Sequence, residues 1–72
     1  SDAQSAYIND RLHKIDSLIK VKQFENAEEL ITNTKNTFSF RNNNDEKLAL
    51  EFRSIQILYE KGKKEQALEQ FL

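Results

Sequence analysis

Leu18-Ile19-Lys20-Val21-Lys22-Gln23-Phe24-Glu25-Asn26-Ala27 and Leu58-Tyr59-Glu60-Lys61-Gly62-Lys63-Lys64-Glu65-Gln66-Ala67 are one pattern written twice, at an offset of 40 residues from Leu18 to Leu58. The correspondence runs backwards through Ile8/Leu48, Leu12/Phe52 and Ile15/Ile55, and forwards to Ile31/Phe71. Apolar positions coincide while most polar ones drift, as expected of two copies of one packing unit. Repeats of about this length mark stacked helix pairs, in which no unit buries its apolar face alone.

Outward from this stretch the spacing is helical. Ile8, Leu12, Ile15 and Ile19 follow one another at steps of 4, 3 and 4, which places them on one stripe of a helix over about residues 3–22. Tyr7 and Leu18 widen the stripe towards a second neighbour. A turn is expected at residues 21–24, then a second helix to residue 37 with Ala27, Leu30, Ile31, Thr34 and Phe38 on one side. Its acidic start (Glu25, Glu28, Glu29) suits the positive end of a helix dipole, while the Thr- and Asn-rich residues 32–37 are expected to fray.

Arg41-Asn42-Asn43-Asn44 reads as a loop, with Asn44 or Asp45 capping a third helix that reaches about residue 61. There Leu48, Phe52, Ile55 and Tyr59 repeat the 4, 3, 4 spacing, and Leu50, Ile57 and Leu58 add a second apolar edge. Gly62 supplies the left-handed residue that ends this helix. A fourth begins at residue 63 or 64 and runs to Leu72, where Ala67, Leu68, Phe71 and Leu72 are left uncovered and a frayed or borrowed end is expected.

These residues resemble the tetratricopeptide-type repeat, in which two antiparallel helices are joined by a glycine-aromatic turn with a small residue at their crossing. Gly62 is similar to the turn glycine, Ala67 to the crossing residue and Phe71 to the later aromatic. In the first copy Phe24 and Ala27 match, but Lys22 stands where glycine is usual, and the aromatic and glycine near the start of the first helix are missing from both copies. The 40-residue offset exceeds the usual repeat of about 34. The six extra residues fall in the second helix and the asparagine loop, as in the longer repeats of bacterial peptide-sensing regulators. The resemblance implies an all-α domain over residues 1–72. Its repeats would span about 3–40 and 45–72, the second truncated, stacked as two antiparallel hairpins in a right-handed array.

Composition narrows the function. With Lys+Arg 11 against Asp+Glu 12 the net charge is -1, and no clustered cation surplus points to nucleic acid. No apolar run approaches the roughly 20 residues that span a bilayer, and the Ser1-Asp2-Ala3-Gln4 start has no signal-peptide character. Absence of cysteine fits a reducing, cytoplasmic setting. A single glycine rules out the usual phosphate-binding loops. Lys61, Lys63 and Lys64 form a small basic cluster, read as a solvated turn rather than a phosphate contact. His13, the only histidine, lies at helical spacing from Asp10, Asp16 and Ser17. That set could be a metal pair or an activated hydroxyl, or the solvated face of a helix where such pairs are routine. Catalysis would also need an oxyanion hole and a pocket that no glycine-rich segment supplies. No enzyme activity and no cofactor are therefore expected.

The expectation is a protein- or peptide-binding module. The resemblance implies that the first helix of each pair lines a concave groove: Asn9, Leu12, Asp16 and Ile19 in the first copy, and Ala49, Phe52, Gln56 and Tyr59 with nearby Arg53 in the second. Apolar anchors mixed with polar groups suit an extended peptide or a helix. The family's carboxylate clamp would need a cation at Leu12 and asparagine at Asp16, so a chaperone-type C-terminal carboxylate is not the expected ligand. Two other readings stand beside this one. Leu12, Ile19, Phe52 and Tyr59 could be core, or the stripes of the first and third helices could pair with another copy of the chain.

Overall fold

A computed structural model describes residues 2–38, 44–62 and 64–71, with the side chains of Asp2, Lys64, Glu65 and Ala67 left outside the description. The chain is all-α: α1 (Asp2–Lys20), α2 (Phe24–Thr37), α3 (Asn44–Glu60) and a short α4 (Lys64–Glu69), with no strand among the described residues. The loop expected at residues 41–43 and the crossing side chain expected at Ala67 lie outside these residues. Asn44 and Asp45, expected as caps, already belong to the first turn of α3.

α1 stops two residues short of the expected end because Lys22 takes a left-handed backbone, φ 63°. Its N–H donates to the Ile19 carbonyl (2.9 Å) and that of Gln23 to the Leu18 carbonyl (2.8 Å), the pair of bonds that closes a helix on a left-handed residue. Forty positions on, Gly62 has φ 82° and donates to the Tyr59 carbonyl at 3.0 Å. Val21 to Ser17 (3.2 Å) likewise has its counterpart in Lys61 to Ile57 (2.9 Å). The two turns, forty positions apart, thus share one backbone geometry.

Only the first turn carries the cost of that backbone, because a Cβ in the left-handed region is strained by about 1–2 kcal/mol. A Cβ placed on Gly62 would meet no atom within 4 Å, so substitution there is penalised by conformation alone. Lys22→Gly is expected to stabilise the fold and Gly62→Ala to weaken it, each by about 1 kcal/mol, or about 4–8 °C in Tm for so small a domain. Thermal melts followed by circular dichroism read both. Destabilisation by both substitutions would show that the Lys22 side chain, rather than its backbone, governs the first turn.

α2 begins at Phe24 as expected and is helical through the Thr- and Asn-rich residues to Thr37. The threonine hydroxyls satisfy themselves inside the helix: Thr34 and Thr37 donate to the carbonyls of Leu30 and Asn33, each at 2.7 Å. Thr34 is fully buried by tertiary packing, which overrides its poor helix propensity. The Phe38 ring then meets Tyr7 at 5.3 Å between centroids. Arg11 sits 4.8 Å from the centre of the Tyr7 ring and donates to its hydroxyl. These contacts tie the start of α1 to the end of α2.

The core is aliphatic. Ile15 and Ile19 of α1, Ala27 and Ile31 of α2, and Leu50 and Ile57 of α3 form one buried cluster, with Leu12, Leu18, Phe24 and Leu30 packed against it. Ile8 is fully buried as well, so the α1 stripe faces inward as its spacing indicated. On α3 the two apolar edges have exchanged roles. Leu50 and Ile57, seven apart, are the buried pair, whereas Leu48, Phe52 and Tyr59 stay exposed. The reason is that α3 packs on both α1 and α2, and the arc meeting both is centred on Leu50 and Ile57. At roughly 100° per residue, Tyr59 points about half a turn away from Leu50. α4 packs on α3 and on no other described helix. The whole is a slab of 36 × 28 × 15 Å.

Candidate functional site

α1 and α3 lie side by side, and the sides of each that flank the buried arc form the walls of an open groove of about 520 Å³. Asp16 and Ile19 line it from α1, and Phe52, Arg53 and Gln56 from α3. These five were nominated by sequence. Asn9 is exposed farther back on α1, Leu12 is half-buried against the core, and Tyr59 projects from α3 outside the lining. The alternative that the apolar nominees are core holds for Ile19, which is 5% exposed yet still touches the groove. It does not hold for Phe52 and Tyr59, at 51% and 48% exposed.

Lys20, Lys22 and Glu60 complete the lining, and sequence reasoning missed them. The signal was available: Lys20 is one helical turn beyond Asp16, and Glu60 one turn beyond Gln56, on the same sides of their helices. Lys22 enters the groove because the left-handed turn places it there.

The polar residues at the centre are already paired with each other. The Arg53 guanidinium donates from Nε to Asp16 Oδ1 (2.9 Å) and from Nη2 to Oδ2 (3.1 Å), a two-pronged ion pair joining α1 to α3. Its Nη1 also donates to the Ala49 carbonyl at 3.0 Å. Three guanidinium donors are thus held, which fixes the width of the groove at this point. A second cross-helix pair, Lys61 to Glu28 at 3.0 Å, ties the end of α3 to α2. With Asp16 paired to Arg53, the lining residues Lys20, Lys22 and Glu60 give the groove a rim of mixed sign around Phe52 and Ile19.

A double-mutant cycle of Asp16→Asn and Arg53→Gln should give a coupling of about 0.5–1 kcal/mol, as for a half-exposed two-pronged pair. In molar salt the coupling should fall, since the pair is reached by solvent. Zero coupling in urea titrations at low salt would mean that the bridge has no part in holding α3 to α1.

The His13 group is not brought together. Asp16 faces Arg53, and Asp10 pairs with Lys14 one turn on (3.1 Å). The Ser17 hydroxyl donates to the backbone carbonyl of His13 at 3.1 Å rather than meeting its ring. Asp10, His13 and Ser17, without Asp16, line a shallow apolar-floored hollow over Leu18 and Leu30. No group of three or more potential metal ligands exists among the described residues. In the basic cluster Lys61 is committed to Glu28, while Lys63 and the Lys64 side chain lie outside the described residues. No described helix is long and apolar enough to cross a membrane. Comparison with family models, curated proteins and solved structures finds no match to this chain.

Proposed function

We propose that this chain is a non-catalytic protein- or peptide-binding module, built as two tetratricopeptide-like helix hairpins and using the α1–α3 groove as its binding surface. The observation that carries this reading is that Asp16, Ile19, Phe52, Arg53 and Gln56, all among the residues the resemblance implies for a concave binding face, line one open groove. Supporting it are the matched left-handed turns at Lys22 and Gly62, and a packing order in which α3 touches both α1 and α2. The ligand best suited to the groove is an extended segment of another protein. Such a segment would place one apolar side chain over Phe52 and Ile19, with polar groups towards Gln56, Lys20 and Glu60. Nucleic acid is not its partner in this reading, given the net charge of -1, and a cysteine-free chain suits the cytoplasm.

Selection of phage-displayed peptides on the folded chain, with counter-selection on Phe52→Ala, tests the proposal. Supporting peptides bind the natural sequence and lose about tenfold or more on Phe52→Ala and on Gln56→Ala, as truncation of a groove anchor produces. A selection in which nothing enriches, or in which binders ignore both substitutions, overturns it.

A further inference from the structure

A second surface lies on the outer side of α3. Leu48, Phe52 and Tyr59 on α3, Leu68 on α4 and Phe71 in the turn after it are each 43–61% exposed. Leu48, Phe52 and Tyr59 follow one side of their helix, the Phe71 N–H donates to the Leu68 carbonyl at 3.0 Å, and the stacked rings of Phe52 and Phe71 (6.0 Å) join the two groups. Forty positions earlier the same pattern on α1 (Ile8, Leu12, Ile19) is buried or half-buried beneath α2 and α3. What α1 buries beneath helical neighbours, α3 leaves about half exposed among the described residues.

The chemistry of the chain itself selects the occupant. The outer side of α1 carries exposed Asp10, His13, Lys14 and Ser17, with Asp10 and Lys14 paired. Head-to-tail stacking of copies would press those charges onto Phe52 and Phe71, which desolvation opposes. Packed against its own counterpart, the α3 row meets another apolar helix stripe, and a two-fold axis lets one patch serve both copies. An aromatic side chain carries about 150–250 Å². Five half-exposed residues therefore offer about 400–600 Å² per chain, and a pair would bury about 800–1,200 Å², at the lower limit for specific association.

We infer that the outer α3–α4 face is a self-association surface through which two copies of this chain pair tail to tail in a reversible two-fold dimer. Leu48 and Leu68 belong to this face and not to the lining of the α1–α3 groove, so substitutions there separate pairing from peptide binding.

Sedimentation velocity from about 5 µM to 1 mM covers the range in which an interface of this size dissociates. The natural sequence should move from its 8.5 kDa monomer mass towards twice that value as concentration rises. Leu48→Glu combined with Leu68→Glu should weaken pairing on the order of tenfold or more, with helicity unchanged by circular dichroism. Leu48→Gln alone, which introduces no charge, should weaken it in the same direction and guards against a folding defect. A monomer at every concentration overturns the inference, as does pairing that survives both sets of substitutions. Growth beyond a dimer that Ser17→Arg arrests would replace it with head-to-tail stacking.

Discussion

Leu50→Ala is expected to cost about 3–5 kcal/mol and to lower the urea midpoint by a large fraction of its natural value. Leu50 is fully buried in the cluster where α3 meets α1 and α2, and removing its three carbons leaves a cavity that helices held on several sides cannot collapse into. Domains hold roughly 0.05–0.15 kcal/mol of stability per residue, or about 4–11 kcal/mol for 72 residues, so this one side chain carries a large share of the whole. Leu48→Ala is the internal control. It removes the same atoms two residues away on the same helix, but from a side chain 43% exposed, and it should change stability by less than about 1 kcal/mol. Urea titrations of both variants decide the matter. Equal losses would mean that the inward side of α3 has been wrongly identified.

Enlarging Ala27 is the second substitution with a large expected effect. Ala27 is fully buried in the core with Ile15, Ile19 and Ile31, and its small side chain lets the α2 backbone lie close to its neighbours. Ala27→Leu adds three carbons where close-packed side chains leave no void, so helices must separate or side chains leave their rotamers, at a cost of about 3 kcal/mol. Ala27→Ser keeps the volume small and should cost less than half as much, because its hydroxyl can bond back to the helix carbonyl four residues earlier. A melt in which leucine is tolerated as well as serine would show that space exists beside Ala27.

The contrast between Leu50 and Leu48 also shows where the sequence could be read and where it could not. α1 has apolar residues on one side only, so its 4, 3, 4 spacing identified the buried stripe of Ile8, Ile15 and Ile19 directly. α3 has apolar residues on two opposite sides. Periodicity reports both without saying which one meets a neighbour, since that depends on how α3 lies across α1 and α2. The first turn was located by the offset from Gly62, but its left-handed backbone at Lys22 could not be inferred from a residue type that seldom adopts it.

The groove was legible in part through the resemblance, which implied that Asp16 and Ile19 would share a face with Phe52 and Gln56. The Asp16–Arg53 bridge was not legible, because it joins residues 37 apart and depends on the separation of two helices. A frayed end to the fourth helix was expected, and α4 stops at Glu69 although the repeat pattern continues to Phe71, since its packing among the described residues comes from α3. A helix that short has too few internal hydrogen bonds to persist without more neighbours.

That one-sided attachment of α4 sets how the molecule opens. Because α4 meets neither α1 nor α2 among the described residues, it can detach without disturbing the Ile15–Leu50 cluster. Its amides should therefore exchange with deuterium through a local opening insensitive to low denaturant, whereas those around Ile15, Ile31 and Leu50 wait for the whole fold to open. The chain thus divides into a three-helix cooperative unit and a terminal flap with an equilibrium of its own, and a protease acting on the native state would remove the flap first.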